Sequence, residues 1–172
     1  MKKFILSSSF VILSFIAQSQ IKSVKIQASG LTCSMCSNAI FKSLKTLTFV
    51  SEVKSDIQNS SFIIGFVPNS KIDFDALEKK VSAAGFSVAD FKVTMIFNNL
   101  TVKNDAHVKI GNDYFHFINV TDQVLQGEKT VQIIDKKFLS SKQFAKYNSY
   151  TKMECHKTGT MEGIGRIFHV TI

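Results

Sequence analysis

Residues 30–36 read Gly-Leu-Thr-Cys-Ser-Met-Cys, and they stand where one periodicity stops and another begins. Before them, residues 22–28 alternate polar and apolar. Val24, Ile26 and Ala28 share one face, the pattern of a half-buried strand. After them, Cys36, Ile40, Leu44 and Leu47 recur at spacings of four, four and three, one stripe of an amphipathic helix. Ser29-Gly30 breaks the strand, and Ser34 or Thr32 can cap the helix start. Cys33 and Cys36 therefore sit in a loop and on a first helical turn, where two thiols can close on one ion. The positive end of a helix favours the thiolate form such a ligand needs.

The pattern then repeats with variations. Residues 49–57 alternate less cleanly through Phe49, Val53 and Ile57, and Asn59-Ser60-Ser61 is a turn. Residues 62–67 form a short apolar strand ended by Pro68. Asp73 starts a second helix, with Phe74, Leu77, Val81 and Ala84 on one side, and Gly85 stops it. Phe86-Ser87-Val88 opens another strand. The order strand, helix, strand, strand, helix, strand over about 22–95 predicts an α+β fold of the ferredoxin-like βαββαβ kind.

These residues resemble the heavy-metal-associated (HMA) domain of copper chaperones, of the N-terminal modules of metal-transporting ATPases and of periplasmic mercury-binding proteins. The family's Gly-Met-Thr-Cys-x-x-Cys appears as Gly30-Leu31-Thr32-Cys33-Ser34-Met35-Cys36. Its following apolar residue and Leu appear as Ile40 and Leu44, and its late Ala-Gly-Tyr/Phe as Ala84-Gly85-Phe86. Leu31 stands where Met is usual and Phe49 where Gly is common; neither position carries a ligand. The resemblance implies a metal-binding protein that holds its ion between Cys33 and Cys36 and passes it on when a partner thiolate attacks. Implied partners are a metal transporter or another metal-binding protein.

Soft thiolates select Cu(I), Hg(II), Zn(II) or Cd(II) over hard ions. Two sulfurs alone suit Cu(I), whereas Zn(II) wants about four ligands. The rival reading is a thiol–disulfide oxidoreductase, because a CxxC at a helix start after a strand is also the thioredoxin placement. Ser34-Met35 between the cysteines, in place of a Gly-Pro type pair, argues against it. A third reading is an interaction module of a metal efflux system. No nucleophile–base pair or carboxylate dyad stands out, so the chain does not read as an enzyme. Met35, in the middle of the CxxC, is expected to face solvent.

Residues 97–172 read mainly as β and are expected to form a small second domain of OB-like barrel type. Residues 108–110 and 114–118 flank a turn at Gly111-Asn112-Asp113, and Leu125-Gln126-Gly127 reads as another turn. Ser140 with Gln143 is a capping box for one short helix. Residues 166–172 alternate and end the chain. Cys155 lies in Met153-Glu154-Cys155-His156 and is a candidate third ligand to the Cys33/Cys36 site, with Met153 or His156 near it. A buried thiol or an intermolecular disulfide are its other readings. His107, His116 and His169 are each isolated in apparent strands and read as structural histidines.

The N-terminus has the secretory pattern. Met1-Lys2-Lys3 precedes an apolar run to Ala17 that is shorter than the ~20 residues a membrane-spanning helix needs, and Ala17-Gln18-Ser19 offers small residues for cleavage. The expected organisation is a signal peptide at 1–19, the metal-binding domain at 20–96 and the β-rich domain at 97–172. The mature protein would be periplasmic or secreted, with no stable membrane span. The net charge of +8 is spread as single Lys residues rather than a block, which disfavours nucleic acid. Three cysteines are too few for a disulfide framework, and 16 Phe in a chain 45% hydrophobic can build a core without one. Outside the cytoplasm the Cys33/Cys36 pair can also oxidise, and an oxidised pair binds no metal.

Overall fold

A computed structural model describes residues 20–31 and 34–172. The expected signal peptide lies outside these residues, as do Thr32 and Cys33. The first elements are β1 (Gln20–Ser29), α1 (Ser34–Lys45), β2 (Val50–Asp56), β3 (Ser61–Phe66), α2 (Phe74–Ala83) and β4 (Ser87–Val102). β5 (Ala106–Ile110), β6 (Asp113–Phe117), β7 (Gln123–Ile133), α3 (Ser141–Tyr147), α4 (Cys155–Thr158), β8 (Thr160–Met161) and β9 (Gly165–Thr171) follow.

The first half forms as its sequence predicts. β2, β3, β1 and β4 lie side by side in that order, every neighbour antiparallel, which is the ferredoxin-like arrangement. Val24 and Ile26 of β1, with Phe62 and Ile64 of β3, meet Ile40 and Leu44 of α1 and Phe74, Leu77 and Val81 of α2 in one fully buried cluster. The two helices touch each other, and Ser43 donates its hydroxyl to Lys80 O at 2.8 Å. The Asp73 carboxylate accepts from Ala76 N at 2.9 Å and caps α2. Gly85, at φ 89°, carries the chain out of the helix in the left-handed region.

The second half departs from expectation, because the sheet does not stop at residue 96. β4 is 16 residues long. Its residues up to Ile96 pair with β1, and those from Lys92 to Val102 pair with β7. The alternation of Phe91, Val93, Met95 and Phe97, all buried, offers no place to break the strand. The expected boundary at 96/97 therefore falls inside β4. The turn expected at 125–127 is an irregularity within β7: Gly127, at φ 71°, opposes Phe97, and the register shifts before Leu100 pairs with Leu125.

No barrel closes among the described residues. The strand path runs β2-β3-β1-β4-β7-β9-β6-β5, open at both edges, with β8 added against β9. The last strand decides this. β9 inserts between β7, to which it is antiparallel, and β6, to which it is parallel. No helix among the described residues is long and apolar enough to cross a membrane.

The two faces of this sheet are covered differently. Phe115 of β6 and Phe168 of β9 pack on Phe74 of α2, with ring centroids 6.5 and 5.1 Å away. Successive strand residues point to opposite faces, so His116 and His169, one position further on, face away from α1 and α2. That second face carries a small cluster of Ile118, Ile134 and Leu139 with Tyr147 of α3. The expected cap of α3 forms: Ser140 Oγ accepts from Gln143 N at 3.4 Å.

Candidate metal centres

The first centre lies where β1 ends. Gly30 turns the chain at φ 78°, and Leu31 packs against the core beneath the loop. Cys36 falls on the first turn of α1 and is half-buried, one residue before buried Ser37 and four before buried Ile40. Met35 is 81% exposed, as expected for the middle of this motif. Cys33 lies outside the described residues. Ser29 pairs with Ser87, which sets the loop beside the Gly85-Phe86 turn at the same end of the sheet.

A second cluster was not anticipated. β5 and β6 form the expected hairpin, which places His107 directly across from His116. The parallel pairing of β6 with β9 places His116 directly across from His169. Three histidines that look isolated in the sequence thus form a row across three neighbouring strands, with ring centroids 4.3 Å and then 5.2 Å apart. α4 brings Cys155 to the same place. Its Sγ lies 3.4 Å from His107 Nε2 and 3.6 Å from His116 Nδ1. The ligand atoms of His107, His116 and Cys155 all lie within 4.8 Å of one another.

Carboxylates hold two of these rings in place. Asp105 Oδ1 lies 2.9 Å from His116 Nε2 and accepts from Thr151 Oγ1 at 2.7 Å. Asp135 Oδ1 lies 2.5 Å from His169 Nδ1, while its Oδ2 accepts from Arg166 Nη2 at 2.8 Å. His169 Nε2 is buried without a hydrogen-bond partner among the described residues. Burial, with His107 and His169 close by, pushes the His116 imidazole down to about 4 despite Asp105. Burial also lowers His107 and raises the Cys155 thiol. Each of these three shifts favours the uncharged form of its group.

The structure does not bring Cys155 to Cys36, the described cysteine of the CxxC. Cys155 lies over β5 and β6, on the face of the sheet opposite α1. β6 is four strand positions from β1, roughly 19 Å at about 4.8 Å per strand. That spacing from the strand leading into Cys36 gives a third-ligand role for Cys155 no support. His156 stacks on Phe144 with centroids 5.0 Å apart, and its Nδ1 lies 3.4 Å from Asn148 Oδ1. Met153 is exposed. Neither belongs to the three-ligand group. His116 and His169 are buried and held by carboxylates, as structural histidines are, and His107 is half-buried against Cys155, so none of the three is isolated. A histidine flanked by Phe115 and Phe117 in an apolar strand was the available signal, since a buried imidazole requires partners.

The model of the heavy-metal-associated domain matches residues 25–87. Among solved structures, the yeast copper transporter domain Ccc2a is 21% identical, and the alignment covers 39% of this chain and 90% of that chain with a TM-score of 0.35. The CopZ metallochaperone is 16% identical over 39% of this chain and 98% of that one, with a TM-score of 0.37. Oxidised MerP from Ralstonia metallidurans CH34 is 26% identical over 41% of this chain and 96% of that one, with a TM-score of 0.35. No curated protein matches the chain.

Proposed function

Residues 25–87 carry a heavy-metal-associated domain, and on that premise we propose that this chain is an exported metal carrier. It holds one soft ion, Cu(I) in the first place, between Cys33 and Cys36. Hg(II), Zn(II) and Cd(II) are the lesser candidates for the same sulfurs. The observation that carries this reading is the setting of Cys36: the first turn of α1, half-buried, beside an exposed Met35 at the open end of the sheet. A sulfur placed there is reachable by a second protein, while Leu31 anchors the loop from below.

Transfer then goes by ligand exchange. A thiolate of a metal transporter or of another metal-binding protein adds to the bound ion. One cysteine–metal bond breaks, a second partner thiolate adds, and the second cysteine–metal bond breaks; the two released thiolates take up the two protons that the partner's thiols gave up. No electron moves, so the ion leaves in the oxidation state in which it arrived. Export follows from the expected signal peptide and requires that the pair be kept reduced where the protein works.

The test is Cu(I) stoichiometry in the full chain under reducing conditions, by competition with a Cu(I) chelator. Cys33→Ser with Cys36→Ser should remove one equivalent and leave the far-ultraviolet spectrum unchanged. An undiminished stoichiometry would overturn the reading.

A further inference from the structure

We propose that Cys155, His107 and His116 form a second metal site, separate from the CxxC, for a thiophilic transition-metal ion of the Zn(II) or copper type. The site is assembled from β5, β6 and α4 on the sheet face away from α1. It does not depend on the reading of Cys33 and Cys36.

The spacing fits the coordination shell of such an ion. With a metal–sulfur bond of about 2.3 Å and a metal–nitrogen bond of about 2.0–2.1 Å, a tetrahedral centre separates S from N by about 3.6 Å. The two S···N separations here are 3.4 and 3.6 Å. One thiol hydrogen can serve only one of the two ring nitrogens. A metal ion, in contrast, satisfies the sulfur and both nitrogens together, once the thiol proton is released.

The surroundings are those of a ligand set held in advance. Asp105 occupies His116 Nε2, which leaves Nδ1 turned to the sulfur, and Thr151 in turn fixes Asp105. Carboxylates in that position orient a ligating imidazole and raise its basicity. Asp135 does the same for His169 on the neighbouring strand, which lies outside the three-ligand group and whose Nε2 has no hydrogen-bond partner among the described residues. His116 and His169 are wholly buried and Cys155 nearly so. An ion held there exchanges slowly and is a resident of the fold. The travelling ion is the one proposed for the CxxC, whose Cys36 is half-buried on the first turn of α1.

The experiment uses the full chain carrying Cys33→Ser and Cys36→Ser, in which Cys155 is the single remaining thiol. One equivalent of Zn(II) or of Cu(I) should still bind, and the bound ion should slow alkylation of Cys155 by roughly tenfold or more. His107→Gln, at a half-exposed position, and Asp105→Asn should each weaken binding roughly 10–100-fold. Protection by either ion supports the site, and the ion giving it identifies the class. A chain with native circular dichroism that binds neither ion at micromolar concentration overturns the proposal. Alkylation that metal leaves unchanged overturns it equally. The alkylation arm needs no substitution at the site itself, so it holds even if Cys155→Ala fails to fold.

Discussion

Arg166 grips Asp75 with both sides of its fork: Nε donates to Oδ2 at 2.9 Å and Nη2 to Oδ1 at 3.1 Å. A residue of the last strand is thereby fastened to the first turn of α2. The same guanidinium lies 4.1 Å over the Phe168 ring and also holds Asp135. Lysine can reproduce the charge but neither the fork nor the stacking. Arg166→Lys should lower stability by about 1–3 kcal/mol, read as a shift in the urea midpoint. An unshifted midpoint would mean that the fork is an exposed contact of no consequence.

Phe74 joins the two halves of the molecule. Its ring meets Phe91 at 5.9 Å, Phe115 at 6.5 Å and Phe168 at 5.1 Å. Phe74→Ala should cost about 3–5 kcal/mol, and Phe74→Leu distinctly less. Because the ring packs on residues before and after position 97, the native chain should unfold in one transition. Two separate transitions, by fluorescence and circular dichroism, would show that the halves are energetically independent.

Gly30 sits at φ 78°, and a Cβ built there would meet nothing within 4 Å. The expense of a side chain is thus in the backbone alone. Gly30→Ala should destabilise by about 1 kcal/mol, and Gly30→Asn by less, since Asn tolerates the left-handed region. Equal thermal midpoints for the native chain and Gly30→Ala would contradict this.

Burial raises the Asp113 carboxyl above its ordinary value of 3.8; Asp73 and Asp75 add to the rise, while Lys71 and Arg166 oppose it. The folded chain therefore holds this proton more tightly than the unfolded one. The resulting stability is complete below 3.8 and is lost as pH rises through the folded value. Asp113→Asn should match the native chain near pH 3 and exceed it at pH 7. Urea midpoints at the two values give the comparison, and a variant weaker at pH 7 would refute it.

The first half of the fold was legible because its signals are local. Val24, Ile26 and Ala28 alternate within five residues; Cys36, Ile40 and Leu44 repeat within nine; Asp73 and Gly85 mark both ends of α2. The second half was misread at its borders. Gly127 looks like a turn in one dimension and is a strand irregularity in three, because Phe97 waits opposite it. Nothing near residue 96 could show that β4 would carry on to pair with a strand some thirty residues later.

The sequence by itself determined a Cys-x-x-Cys motif between a strand and a helix and the scaffold around it, since each of those features is written within one or two turns of chain. Only the tertiary structure decided where the third cysteine lies. Cys155 is 48 residues from His107 and 39 from His116. His107 and His116 meet through the β5–β6 hairpin, Cys155 joins them because α4 folds over that face, and β9, slipping in beside β6, aligns His169 with His116. Pairing between distant strands depends on which edges remain open once the core has formed, and no single segment carries that information.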